Sequence, residues 1–225
     1  MSQIKVDKLI RSKRKTIGLE VTRDTRLIVR APRKVPLEYI EKIIFEKRFW
    51  IKRKQKIVQE KFQNVVSKKF VNGEGFLYLG DTYRLNIINQ ANTPLSLDQE
   101  FKILNTCLPN ARQVFIDWYK RQAYQKISER INWYSACSGF EYNKIGITNA
   151  QKHWGSCSSA KGNLYFSWRL IMAPLRVIDY VVAHEIAHLQ EKNHSNKFWN
   201  KVRILFPDYQ ESQRWLKSNG HLLAV

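Results

Sequence analysis

His184-Glu185-Ile186-Ala187-His188, continued by Leu189-Gln190-Glu191-Lys192-Asn193-His194, decides how the rest of the chain is read. On a helix, residues four apart share a face with their side chains about 5–6 Å from each other. His184 and His188 can therefore direct two imidazole nitrogens at one metal ion. Glu185 occupies the neighbouring part of that face, near enough to take a proton from a water that the metal activates, without being a ligand itself. His194 comes six residues after His188, and a helix that ends in between can bring it back as a third nitrogen donor. Three protein ligands leave one corner of a tetrahedron open, the pattern of a catalytic rather than a structural zinc site. The expected metal ligands are His184, His188 and His194, the expected base is Glu185, and the expected cofactor is Zn(2+).

Outward from this stretch, Pro174 suits a first helical turn, and Val177, Ile178, Val181, Val182, Ile186 and Leu189 form a broad apolar stripe that carries the histidine pair partly into the interior. Upstream, Ile145 and Ile147 start a strand, His153 to Cys157 is a short extended piece, and Leu164 to Leu170 is a third strand after a turn at Ser158–Gly162. Downstream, Ser195 caps a helix through Phe198, Trp199, Val202 and Leu205 that Pro207 stops, and a last helix carries Tyr209 and Trp215 to Asn219-Gly220. A long amphipathic helix over about 110–136 places Phe115, Trp118, Tyr119, Tyr124, Ile127, Ile131 and Tyr134 on its apolar side and stops at Ser138-Gly139.

The first third reads differently. Ile17, Leu19 and Val21 alternate, Arg23-Asp24-Thr25 makes a turn and Leu27-Ile28-Val29 follows, a basic β-hairpin. Pro36 opens a long helical pattern with Leu37, Ile40, Ile43, Ile44, Phe49-Trp50-Ile51, Ile57 and Val58 on one side and many Lys and Arg on the other. Trp50 beside that basic face suggests stacking on RNA, although an aromatic at helical spacing is more often core. Phe76–Leu79 and Tyr83–Ile88 around Gly80-Asp81 form a second hairpin. The polar stretch Asn89–Pro94 marks a boundary, giving an N-terminal basic β-hairpin/helix region over 1–92 and a metallohydrolase domain over 93–225.

The 225 residues are 44% hydrophobic and poor in Pro and Gly, which excludes a low-complexity chain and permits one large domain or two small ones. Met1–Asp7 has no apolar core of signal-peptide length, and no run approaches a membrane span. Cys107, Cys137 and Cys157 are odd in number and without a Cys-x-x-Cys pair, which fits reduced thiols, so the expected location is cytoplasmic. The net charge of +20 is uneven: residues 1–70 hold 21 of the 39 Lys and Arg but 7 of the 19 Asp and Glu. Such a field would attract polyanions, nucleic acid foremost, but the favoured reading is a solvated face that aids solubility, with a nucleic-acid partner through the basic N-terminal region left open.

With these stretches in view, the chain resembles the YgjP-type metal-dependent hydrolases, related to SprT-like and other zincin peptidases. The resemblance rests on Trp154-Gly155-Ser156-Cys157-Ser158, Asn163-Leu164-Tyr165-Phe166-Ser167-Trp168-Arg169-Leu170, Ala173-Pro174, the His184–His188 motif, and Asn193-His194-Ser195 with Phe198-Trp199. The N-terminal hairpin, the basic helix and Tyr78-Leu79-Gly80 resemble the family as well. It implies an α+β fold whose zincin-like C-terminal domain carries the active-site helix and a small antiparallel sheet. It also implies zinc on His184, His188 and His194 and catalysis by Glu185. Two departures stand out. His153 occupies a position where many members carry Arg, and Glu191 stands where metzincins place Gly, so Asn193 in a left-handed conformation is expected to end the helix.

The expected reaction is hydrolysis of peptide bonds in a peptide or protein substrate. An edge at Leu164–Leu170 would pair with an extended substrate if that strand is not interior. His153, Arg169, Tyr209, Arg214 and His221 are candidate oxyanion donors. Cys157 reads as a buried thiol rather than a nucleophile. Two other readings keep the metal: a nucleotide pyrophosphohydrolase, weakened by the lack of a glycine-rich phosphate loop, and a nucleic-acid-binding module with a structural zinc, which lacks a fourth ligand nearby.

Overall fold

Leu27, Val29 and Ala31 alternate with residues that face outward, and all three are fully buried, so the apolar period of two predicts a strand and names its core side. In the computed structural model, which describes residues 4–22, 24–62 and 68–225, this strand is the centre of a three-stranded sheet. The chain divides into two compact units, Met1–Val66 and Ser67–Val225.

In the first unit β1 (Lys8–Ser12), β2 (Gly18–Val21) and β3 (Leu27–Pro32) are ordered β1-β3-β2. β2 and β3 form the expected antiparallel hairpin; of its expected turn, Arg23 lies outside the described residues. β1 is an addition, paired in parallel with β3 through Lys8↔Ile28 to Ser12↔Pro32. The single long helix expected after Pro36 is two: α1 (Leu37–Glu46) and α2 (Arg48–Phe62), separated where Lys47 takes φ −92° and ψ 8°. Ile40, Ile44 and Ile51 pack on Leu27, Val29 and Ala31. Phe49-Trp50-Ile51 does not enter this core together. Three successive residues sweep about 200° around a helix, and Ile51 alone is buried, while Phe49 is 72% and Trp50 46% exposed.

In the second unit β4 (Gly75–Tyr78), β5 (Asp81–Ile88), β6 (Leu95–Leu97) and β7 (Phe101–Leu104) form a sheet of order β4-β5-β7-β6. The boundary expected at 92/93 falls inside this sheet, because β5 pairs in parallel with β7 across it, from Leu85↔Phe101 to Ile88↔Leu104. The polar stretch there is a crossover loop rather than a linker. α3 (Ala111–Ser138) buries Phe115, Trp118, Tyr119, Ala123, Ile127, Ile131 and Tyr134 and ends at Gly139, whose φ of 70° needs no side chain. Tyr124, expected on that stripe, is exposed, and Ala123 takes its place.

β8 (Lys144–Thr148), β9 (Gly155–Ser158) and β10 (Asn163–Ser167) form the sheet beside the histidine helix, in the order β8-β10-β9. It is small, as expected, but mixed rather than antiparallel: β10 runs parallel to β8 and antiparallel to β9. α4 (Leu175–Ala187), α5 (Asn196–Leu205) and α6 (Tyr209–Asn219) complete the unit. Among the described residues no helix is long and apolar enough to cross a membrane.

Two contacts set the place of α4. Both residues of the β4–β5 turn, Leu79 and Gly80, have positive φ, as the tightest hairpins require. Their amides donate to Ile171 O and Met172 O, and a Cβ on Gly80 would strike Pro174, the residue that opens α4. From the other side Arg130 of α3 makes a two-pronged ion pair with Asp179 of α4, 2.5 and 3.2 Å, with the carboxylate largely buried. Burial pushes the Asp179 carboxyl up and the guanidinium pulls it back down. Arg130→Met strands this carboxylate and is expected to cost about 3 kcal/mol, whereas Arg130→Met with Asp179→Leu should recover most of the loss. Urea unfolding of both variants checks this; equal losses would show that packing, not the orphaned charge, sets the cost.

Candidate active site

α4 delivers two of the three histidines because its apolar stripe, from Val177 to Ile186, fixes its rotation against the core. His184 and His188 lie four residues apart on the same face, and the ring of His194 comes back to meet them. The Nε2 atom of His194 is 3.1 Å from that of His184 and 3.2 Å from that of His188. Among the described residues these three form the group able to hold a metal ion, and no fourth His, Cys, Asp or Glu joins them.

The return of His194 does not use a left-handed Asn193. Among the described residues, positive φ outside glycine occurs at Thr25, Phe70 and Leu79. The helix tightens instead, with the amides of Leu189, Gln190 and Glu191 donating to Ile186 O, Ala187 O and Ala187 O. The carbonyl of Glu191 then stands 2.8 Å from Nδ1 of His188. That contact makes Nδ1 the protonated nitrogen and leaves the Nε2 lone pair aimed inward, so one bond both turns the chain and orients the ring. Ser195 caps α5 as expected, accepting from the amide of Phe198 at 3.4 Å.

Phe198, expected only as an apolar residue of the helix after Ser195, belongs to the site. It is fully buried, and its ring centroid lies 4.8, 4.3 and 4.7 Å from those of His184, His188 and His194. The three imidazoles thus stand on one aromatic floor. Its position four residues after His194, at the start of a capped helix, was the available signal. Around the rim, Trp199 stacks on His194 and on Tyr209, and Tyr209 on Tyr180, whose ring meets His184 edge-on. Nδ1 of His184 has no hydrogen-bond partner among the described residues, so packing holds this ring.

These donors fit a divalent cation. Metal–nitrogen bonds of about 2.0–2.1 Å put tetrahedral donors about 3.3–3.4 Å apart, close to the spacings seen. Of three imidazole nitrogens pointing at one another at least two must be alike, both lone pairs or both N–H groups, and these repel; a cation among three lone pairs removes the conflict. Burial pushes the His184 imidazole down to about 3 and that of His188 down as well, which keeps both neutral and ready to donate.

Glu185 faces β9. Its side chain is nearly buried, and a Cβ at Gly155 would come within 2.6 Å of both its Cγ and Oε1, so only glycine leaves the carboxylate its place. Burial pushes this carboxyl up to about 8. Cys157, two residues along β9, is pushed up to about 11 by its own burial and by the charge of Glu185, so it remains a thiol and not a nucleophile at neutral pH.

The five candidate oxyanion donors separate. Tyr209 joins the ring stack, and Arg214 lines an open hollow of about 390 Å³ with Trp199, Tyr209, Gln210 and Gln213. Arg169 turns to the carbonyls of Asn149 and Ala150. His153 is exposed just ahead of β9, and His221 follows Gly220, which packs on Trp154. β10, the strand expected to offer a substrate-pairing edge, is interior; the edges are β8 and β9, and β9 is the one packed against Glu185 of α4.

No curated protein sequence matches the chain significantly. Among the solved structures that resemble it in part are the metallopeptidase zymogen abylysin of Pyrococcus abyssi (20% identity, TM-score 0.37, 40% of this chain and 92% of that one) and the metallopeptidase zymogen jannalysin of Methanocaldococcus jannaschii (23%, 0.36, 40% and 91%). The model of the YgjP-like metallopeptidase domain matches residues 15–219. The chain that places three convergent histidines beside a buried glutamate therefore belongs to the YgjP-like metallopeptidase family, and is a metal-dependent hydrolase.

Proposed function

We propose that this chain is a zinc metallopeptidase of zincin-like architecture, holding its ion on His184, His188 and His194 and using Glu185 as general base. The observation that carries the reading is the convergence of the three histidine rings, with Glu185, the chain neighbour of His184, packed against Gly155 of the edge strand β9. Zinc, when bound, polarises a carbonyl and makes water more acidic. Everything else falls to the chain. Glu185, enclosed by Gly155 and α4, takes a proton from the attacking water at its carboxylate and returns it to the leaving amine. The enclosure raises its proton affinity and excludes bulk water. β9 offers its unpaired N–H and C=O groups to an extended backbone, which aligns a peptide across the histidines without selecting its sequence. Tyr209 and Arg214 are the candidates nearest the ring stack for holding a developing negative charge.

The two alternatives have less behind them. A structural zinc calls for a fourth protein donor, and the group has three among the described residues. No feature of the site favours a phosphate over a peptide. Zinc-loaded protein is expected to cleave members of a mixed peptide library, to lose this activity to a chelator and to regain it with added zinc. Hydrolysis of nucleoside triphosphates by the same sample, with every peptide intact, would overturn the reading.

A further inference from the structure

We propose that the α1–α2 face of the N-terminal unit is a docking surface for single-stranded nucleic acid. The helical pattern predicts that its aromatic residues line the core, and the structure puts them outside. Phe45 is 57% exposed, Phe49 72%, Trp50 46% and Ile57 36%, while Ile51, between them in sequence, is fully buried. Gln55, on the side of α2 that carries Ile51, donates to Thr25 O at 2.9 Å, so the inward face of α2 is already engaged by its own sheet. The outward face is left to a partner.

The chemistry of that face selects the partner. Lys47, Arg48, Arg53, Lys54 and Lys56 fall within ten residues that contain no carboxylate, while Lys52 of the same stretch lines a hollow with Asp7, Thr25 and Gln55 on the sheet side. The guanidinium of Arg48 lies 4.2 Å from the ring centroid of Phe45 and 4.5 Å from that of Phe49. Trp50 and Ile57 are seven apart on α2 with Arg53 between them on the same side. Rings and cations are thus interleaved on one surface. A helix that lies on a membrane separates them, with the apolar side sunk and the charged side up. A single strand presents both kinds of group at every nucleotide: a base face for a ring and a phosphate for a cation. In a duplex the base faces are stacked on one another, so exposed rings gain little there.

The test uses the full-length chain and a fluorescein-labelled oligothymidylate of about 20 nucleotides, read by anisotropy across a salt series. Binding should be tighter than to a duplex of equal length and should weaken steeply with salt. Phe49→Ala with Trp50→Ala should weaken it at least about tenfold and leave the salt slope unchanged. Arg53→Gln with Lys54→Gln should lower the slope by about one for each cation lost. All four side chains are exposed, and an unchanged thermal transition confirms that the variants fold. The proposal is overturned if the oligonucleotide does not bind, if the ring variant binds as tightly as the parent, or if phosphatidylserine vesicles bind and the oligonucleotide does not.

Discussion

Glu185→Gln is expected to lower kcat for peptide cleavage by about 10²–10⁴-fold, the usual weight of a general base, while the protein keeps its full equivalent of metal. The amide has the shape of the carboxylate and fits the space that Gly155 leaves, yet it cannot accept the water's proton. The substitution also removes from a nearly buried site a carboxyl that burial pushes up to about 8, so the metal-free variant should unfold at no lower temperature than the parent. Joined with the metal content, these readouts separate three roles. A base loses turnover and keeps both metal and stability. A ligand would lose metal, and a structural carboxylate would lose stability. Near-normal turnover with metal bound would move the base to another residue. Gly155 offers a second handle on the same carboxylate, because any side chain there must displace Glu185 or β9.

The histidine group was legible in the sequence because its logic is local: a four-residue step on a helix admits little besides a shared face. What holds the group was not. The turn that returns His194 depends on the His188–Glu191 bond, a side-chain contact that the pattern of residue types does not announce, whereas residue type alone points to a left-handed Asn193 that the chain does not use. Gly155 and Glu185 meet across thirty residues of chain, and Phe198 serves three rings from two different segments. The same division runs through the fold. The β2–β3 hairpin, α3 with its glycine stop, and the helices after His194 rest on short-range pattern and stand where expected. The parallel partners β1–β3, β5–β7 and β8–β10 have no adjoining turn to signal them, and the resulting mixed sheets were missed. Phe49-Trp50-Ile51 departs from the expected shared face for a simpler reason, since helical geometry alone prevents three neighbours from sharing one buried face.

His194→Ala is expected to abolish tight metal binding while leaving the metal-free protein as stable as before. His194 is exposed, unlike His184, so its ring contacts with Phe198 and Trp199 leave no buried cavity when the ring is removed, and the loss should stay near that of surface replacements, about 0.5 kcal/mol. As one of three donors its loss should weaken zinc by more than the ten- to hundredfold that removal of a mere outer-shell partner costs. Calorimetry of metal-free and zinc-loaded samples gives both numbers together. A parent protein held at about a thousand times its dissociation constant for zinc gains about 4 kcal/mol from mass action, and this gain should vanish in the variant. His184→Ala is the weaker experiment, because its ring packs against Tyr180 and Phe198 and a cavity would confound the loss of a donor. If the alanine at position 194 kept the zinc-induced rise in unfolding temperature, the third ring would be a neighbour of the site rather than a ligand. Two histidines would then be too few to hold a catalytic ion, and the assignment of Glu185 as its base would fall with them.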